Sequence, residues 1–228
     1  MAELDKTIDL SQFTLGKALG EGSFGKVFEI REKTTGNTYA AKIILNPIDP
    51  NQKDIVCNLL REVNINASIN HPSILQFIGF SATDFQNNAK PVIITELASN
   101  GSLNNVVEYE NRGLSIPGWN DTKKIITLFG IASGMAYLHS HDILHRDLKL
   151  ENILADDRLF PKITDFGLSK VKHENGFSST TQSVLCIKGT PSYLSPEIIQ
   201  DLEYTKAGDV YAFGIVAYEI LTTNRAFS

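Results

Sequence analysis

The sequence predicts an α+β chain in two unlike parts, a small β-rich region with one helix followed by a larger α-helical region. Three observations carry this. Up to Glu96, short runs of residues alternate apolar and polar with the period of a strand, with one helical stretch among them. After Asn100-Gly101-Ser102 the pattern breaks, and apolar residues recur at helical spacing. Between the two lies a short junction near Leu97-Ala98, a kind of place where ligand clefts often form.

The elements follow in order. Phe13-Thr14-Leu15 alternates, a glycine-rich stretch intervenes, and Val27-Phe28-Glu29-Ile30 alternates again. Thr35-Gly36-Asn37 is a turn signal, and Thr38 to Ile44 makes a third strand. Asp54 to Ser68 reads as a helix closed by His71-Pro72. Ile74 to Phe80 and Val92 to Glu96 complete the strands. Beyond the junction, Ile125, Phe129, Ala132 and Met135 mark a helix over Asp121 to His139. Lys206 to Thr222 is apolar on nearly every face, which predicts a helix buried all round.

Composition narrows the class. At 228 residues the chain suits one large domain or two small ones, and a net charge of −5 argues against nucleic acid or an anionic membrane as the main partner. Cys57 and Cys186 are too far apart in sequence to suggest a disulfide framework or a metal site, so reduced thiols and a cytosolic or nuclear setting are expected. The acidic start carries no apolar core, so it does not read as a secretory signal. The longest apolar stretch, Val210 to Leu221, is too short to span a bilayer and contains Glu219.

Several segments can carry chemistry. Gly20-Glu21-Gly22-Ser23-Phe24-Gly25-Lys26-Val27 is a G-x-G-x-x-G-x-V, whose glycines let backbone N–H groups approach phosphate oxygens. Alone, it reads as well as an ordinary glycine-rich hairpin. The strand-like alternation after Gly25 disfavours a dinucleotide fold, which would open a helix there. Ala40, Lys42 and Ile44 share one face of a strand, so Lys42 either snorkels at an edge or is paired in a cleft, with Glu62 as a natural partner. His145-Arg146-Asp147-Leu148-Lys149-Leu150-Glu151-Asn152 is more specific. It sets a carboxylate, an ammonium and an amide within six residues after an amphipathic helix, and Asp165-Phe166-Gly167 follows.

In this order and spacing, the segments resemble the signature set of eukaryotic protein kinases from about Phe13 onward, with Ser195-Pro196-Glu197 in place of A-P-E and Asp209 to Gly214 similar to the D-x-W-S-x-G helix start. The resemblance implies a bilobal fold over 1–228, with a lobe at 1–96, a hinge at 97–101 and part of a second lobe at 102–228. It implies transfer of the γ-phosphoryl group of ATP, with Mg²⁺, to protein hydroxyls. Such transfer depends on alignment and charge neutralisation rather than covalent help. Gly20, Gly22 and Gly25 would cover the phosphates. Lys42, held by Glu62, would contact the α- and β-phosphates, and Asn152 and Asp165 would hold the metal through hard oxygen atoms. Asp147 would accept the proton of the substrate hydroxyl or orient that hydroxyl, with Lys149 offsetting the charge of the transferred group. The adenine would lie among Leu19, Val27, Ala40 and Leu154, with Thr95 as gatekeeper and the backbones of Glu96 and Ala98 on its edge. Asp209 would tie the catalytic loop to the last helix.

His145 to Asn152 and Gly189-Thr190-Pro191 resemble Ser/Thr kinases. Phe77-Ile78-Gly79 and Asp209 to Val216 resemble the tyrosine-kinase-like group. A nucleotide-sensing pseudokinase is the first rival, although Asp147, Asp165 and Lys42 are all present. A partner-binding fragment without turnover is the second. Asn66 stands where the family places Leu or Met, and a buried amide there needs a polar partner. Arg146 is a cation that could pair with a phosphate on Ser178, Ser179, Thr180, Thr181 or Ser183 and so switch activity. The family continues past Ser228 with further helices. Without them, Glu197 is expected to miss an arginine partner and one stripe of the last helix to lie exposed, leaving this chain less stable than a longer one.

Overall fold

The computed structural model describes residues 6–22, 25–44, 63–166, 170–173, 176–177, 189–201 and 203–227. Glu62 and the five candidate phosphosites lie outside these residues. The chain divides into two compact units, Met1–Asn70 with Leu75–Ala98, and His71–Ile74 with Ser99–Ser228.

The first unit is a five-stranded sheet of order β1-β2-β3-β5-β4, each neighbouring pair antiparallel. Its strands are β1 (Phe13–Gly22), β2 (Gly25–Glu32), β3 (Thr38–Ile44), β4 (Phe77–Ser81) and β5 (Val92–Glu96). Strand alternation gives the sheet two apolar faces. Ile30, Ala41, Val92 and Ile94 turn to one side, where Leu10 and Phe13 join them. Ile93 and Phe77 turn to the other, against Val63 of the helical segment α1 (63–68). Asn66, on α1, is buried and polar-partnered, as its position requires. The predicted strand at Ile74 begins later, at Phe77, because Ile74 belongs to the other unit and bridges Ile163.

The edge strand β4 is covered by residues ahead of the first strand. Thr7 bridges Phe80 in parallel, the Ile8 N–H donates to the Phe80 carbonyl at 2.8 Å, and the Phe80 N–H donates to that of Lys6 at 2.9 Å. Ile8 lies so close that a Cβ on Gly79 would stand 2.1 Å from its Cδ1.

The second unit is mainly helical, with α2 (Leu103–Asn111), α3 (Asp121–Ser140), α4 (Pro196–Asp201) and α5 (Lys206–Thr222). Side-chain oxygens cap two of the helix starts. Ser102 accepts from the Asn105 N–H ahead of α2, and Asn120 accepts from the Lys123 N–H ahead of α3. Short strands join them. These are β6 (Ile143–Leu144), the antiparallel pair β7 (Ile153–Ala155) and β8 (Pro161–Ile163), then β9 (Lys170–His173) and β10 (Gly176–Phe177), in which β6 and β10 flank β9. Helix α3 lies close against β8 because two of its residues lack side chains. A Cβ on Gly130 would be 2.6 Å from Pro161 Cγ, and one on Gly134 would be 2.8 Å from Ile163 Cδ1.

Two helix expectations are corrected. In α3 the buried line is Lys124, Thr127, Ile131, Gly134, Met135 and Leu138, whereas Ile125 and Phe129 are exposed. Lys124 can be buried because its ammonium meets Glu110 Oε1 at 2.7 Å. Helix α5 is not buried all round. Ala212, Val216, Glu219 and Ile220 are buried, while Val210, Tyr218 and Leu221 are exposed. Glu219 is buried because Tyr193 Oη donates to it at 2.6 Å and Arg225 lies 3.7 Å away. Burial first, then the bond and charge of Glu219, push the Tyr193 hydroxyl well above its ordinary value. Arg225 also faces Glu108 and Glu151. Glu197 is only half-buried, so the large cost of a buried orphan carboxylate does not apply to it. Among the described residues, no helix is long and apolar enough to cross a membrane.

Candidate active site

The loop after β6 hangs from the start of α5. Asp209, only 4% exposed, accepts the backbone N–H groups of His145 on Oδ2 and Arg146 on Oδ1, each at 2.9 Å. Its Oδ2 also accepts from His139 Nε2 at 2.8 Å. Burial alone would raise this carboxyl's pKa. The hydrogen bond from His139, the electrostatic pull of His145 and the two backbone donors outweigh it and hold the group below its ordinary value. His145 is itself fully buried. Its Nε2 donates to the Thr164 carbonyl at 3.1 Å and its ring lies 5.4 Å from that of Phe166, so the loop is tied to the Asp165 segment. Arg146 and Asp165 both have positive φ, at 71° and 66°, a backbone state uncommon outside glycine. Such strain concentrates at functional sites.

On this frame, three of the candidate residues meet. Asp147 Oδ2 accepts from Asn152 Nδ2 at 3.0 Å and faces Lys149 Nζ at 3.0 Å. Asp147 Oδ1 accepts from both the N–H of Thr190 at 3.0 Å and its hydroxyl at 2.9 Å, and Lys149 Nζ donates to that same hydroxyl at 2.8 Å. Four donors thus fill the roughly four lone-pair positions of the Asp147 carboxylate. In the sequence Thr190 reads only within the Gly189-Thr190-Pro191 run that resembles Ser/Thr kinases, not as a partner of Asp147. Gly189 before it has φ 115° and leaves no room for a Cβ, since one would stand 2.9 Å from the Arg146 carbonyl.

Asn152 donates a second time from Nδ2, to the Asp147 carbonyl at 2.8 Å, so its amide nitrogen is fully committed and its orientation is set. The side-chain oxygen is then the atom left to act as a ligand. The Thr164 N–H donates to the Asn152 carbonyl at 2.9 Å, and Ile153 pairs with Ile163, so Asn152 and Asp165 flank the same end of the β7–β8 pair. An amide oxygen and a carboxylate fit a hard cation such as Mg²⁺. Leu154, half-buried, lies on β7 opposite Lys162.

The remaining candidates belong to the first unit. Val27 pairs with Lys42, Lys42 with Ile93, and Ala40 with Thr95, so Val27, Ala40, Lys42 and Thr95 share one sheet face. Lys42 is half-buried and has an interaction partner. Glu96 is locked to Gln76 in two directions, its N–H to the Gln76 carbonyl and its Oε1 from the Gln76 N–H, each at 2.9 Å, and Ala98 ends this unit. Leu19 is 42% exposed at the β1 end of the β1–β2 hairpin, where Gly20 faces Val27 and Gly22 faces Gly25.

The hairpin glycines differ in kind. Among the described residues, nothing lies within 4 Å of a Cβ placed on Gly20 or Gly22, so packing against them does not demand glycine there. A Cβ on Gly25 would sit 2.6 Å from the Ile43 carbonyl oxygen, which β-pairing holds in place. Gly25→Ala is therefore expected to destabilise the β2–β3 pairing by about 1–3 kcal/mol, the usual range for overpacking. Gly20→Ala should leave stability nearly unchanged. Urea unfolding of the two variants measures the difference, and equal midpoints would contradict it.

The family model for the protein kinase domain matches residues 13–228, and the chain belongs to that family. Among similar proteins are a probable serine/threonine-protein kinase, drkD, of Dictyostelium discoideum, 35% identical over 217 residues, and an Aurora kinase of Saccharomyces cerevisiae, 34% identical over 221. A RAC-beta serine/threonine-protein kinase of Rattus norvegicus is 35% identical over 216 residues. These alignments cover 94%, 95% and 94% of this chain, but only 15%, 54% and 41% of the respective relatives. The chain thus has the bilobal α+β fold of the protein kinase domain and spans a fraction of its relatives' length.

Proposed function

We propose that this chain transfers the γ-phosphoryl group of ATP to Ser and Thr hydroxyls of protein substrates. The observation that carries the proposal is the convergence of Asp147, Lys149, Asn152 and Thr190. Asp147 is the group that engages the substrate hydroxyl, and Lys149 lies beside it as the cation that offsets charge on the transferred group. Because Asp147 already accepts from four donors, a substrate hydroxyl must displace one of them. Lys149 can leave, since it keeps the Thr190 hydroxyl as a partner and gains a phosphoryl group. Mg²⁺, held by Asn152 and Asp165, would neutralise phosphate charge.

Leu19, Gly20, Gly22, Gly25, Val27, Ala40, Lys42, Thr95, Glu96, Ala98 and Leu154 are assigned to the nucleotide, with Glu62 as partner of Lys42. The side chains sharing the Val27–Lys42 face and the unforced glycines at 20 and 22 support this. The lobes are assigned to 1–96 and 102–228, with 97–101 as hinge. Phe77-Ile78-Gly79 and Asp209 to Val216 favour the tyrosine-kinase-like group, and two widely spaced cysteines favour a cytosolic or nuclear setting. Incubation with labelled ATP, Mg²⁺ and a protein substrate offering Ser, Thr and Tyr tests the activity. Phosphoserine and phosphothreonine are expected. Nucleotide binding without transfer would instead support a pseudokinase, and phosphotyrosine alone would overturn the choice of side chain.

A further inference from the structure

The Arg146 guanidinium lies over the ring of Tyr204, 3.8 Å from its centroid. Tyr204 precedes Thr205, the N-cap of α5, the helix that also carries Asp209. Arg146 is therefore held at two points by one structural block. Its backbone N–H is fixed by Asp209 Oδ1 and its side chain by Tyr204. These holds act on either side of the N–Cα bond, so together they set the φ of Arg146. That angle is 71°, in the left-handed region that a residue with a side chain leaves readily unless it is restrained. Rotation about this bond swings the following peptide, and the next residue is Asp147. The Arg146 carbonyl is also packed against Gly189, whose neighbour Thr190 donates twice to Asp147. A change at Arg146 therefore reaches both the carboxylate and its donors.

We propose that Tyr204 is a positioning residue for phosphoryl transfer: by holding the Arg146 guanidinium on its ring, it fixes the backbone state in which Asp147 is presented. This rests on the reading of Asp147 as the group that engages the substrate hydroxyl. The contact depends on the π face of the ring and not on the phenol oxygen. Tyr204→Phe therefore keeps it, while Tyr204→Leu keeps apolar bulk and loses it.

The test uses the full chain with Tyr204→Phe, Tyr204→Leu, Arg146→Met and the Tyr204→Leu/Arg146→Met double variant. Hydrogen–deuterium exchange of the segment around Arg146 and Asp147 reads the loop whether or not the chain turns over. Faster exchange is expected in Tyr204→Leu and in Arg146→Met, with no further gain in the double variant and wild-type exchange in Tyr204→Phe. In the kinetic arm, Tyr204→Leu is expected to lower kcat roughly threefold to thirtyfold, the range to which a cation–π contact converts, with KM for ATP unchanged. Tyr204→Phe should restore kcat. Unchanged exchange in Tyr204→Leu, equal loss in Tyr204→Phe, or independent effects in the double variant would overturn the proposal. If Tyr204→Leu does not fold, Arg146→Met carries the exchange test, and wild-type exchange there overturns it equally. Turnover of Asp147→Asn separates a failure of the activity itself, because the exchange result does not depend on it.

Discussion

Asp147→Asn is expected to lower the rate of phosphoryl transfer by about 10²–10⁴-fold, the usual contribution of a positioned base, while nucleotide affinity stays as in the wild type. The geometry explains why so conservative a change should cost so much. Among the described residues, the groups that meet the Asp147 carboxylate are donors: the Thr190 N–H and hydroxyl, the Asn152 amide and the Lys149 ammonium. An asparagine has one oxygen to offer and must turn its NH₂ toward donors on the other side. It also has no negative charge to oppose Lys149 and no basic oxygen to take a proton. Single-turnover kinetics beside calorimetric titration of nucleotide would measure both quantities. Near-normal turnover would show that another group does this work.

Asp209→Ala is expected to destabilise the fold by about 3–5 kcal/mol, the scale on which a buried charged partner is missed. The change leaves the His145 and Arg146 N–H groups and the His139 ring without their acceptor in a buried place. Against the roughly 5–15 kcal/mol that holds a domain together, such a loss is large. A fall in melting temperature of about 6–20 °C follows for a chain of this size. The pH dependence has a definite sign. The folded carboxyl titrates below its ordinary value of 3.8, so the unfolded chain binds this proton more readily. The contribution of Asp209 is therefore fully present above that value and is lost as pH falls through the lower, folded one. Acid titration of stability should be shallower in Asp209→Asn than in the wild type over that interval. Identical acid limbs would contradict the assignment.

Much of the first unit was legible because strand alternation and turn chemistry are local properties. Thr38–Ile44 and Val92–Glu96 begin and end where the sequence places them, and the Gly36 turn has the positive φ of 75° that a turn glycine supplies. Helices α3 and α5 were legible in extent but not in orientation. Ile125 and Phe129 look like a core stripe, yet the buried line of α3 includes Lys124 and Thr127. Nothing local reveals that Glu110 waits for Lys124, or that Tyr193 shields Glu219, because both partners come from elsewhere in the chain. The same applies to the site. Asp147, Lys149 and Asn152 are close in sequence and could be read together. Thr190 and Asp209 stand 43 and 62 residues beyond Asp147; the family resemblance points to Asp209 as the tie of the loop, whereas only folding shows that Thr190 donates to Asp147.

The contact between Ile8 and Gly79 bears on how such molecules behave in a crowded solution. A sheet with an open margin offers its unpaired amides and carbonyls to any neighbour, including another copy of itself. Here one margin is occupied by the protein's own residues, with Thr7 beside Phe80 and hydrogen bonds running in both directions. The seal depends on the absence of a single carbon atom at position 79, since any side chain there would take the space that Ile8 fills. A methyl group at that position, far in sequence from Asp147, would leave the chemistry untouched and turn a closed border into an adhesive one.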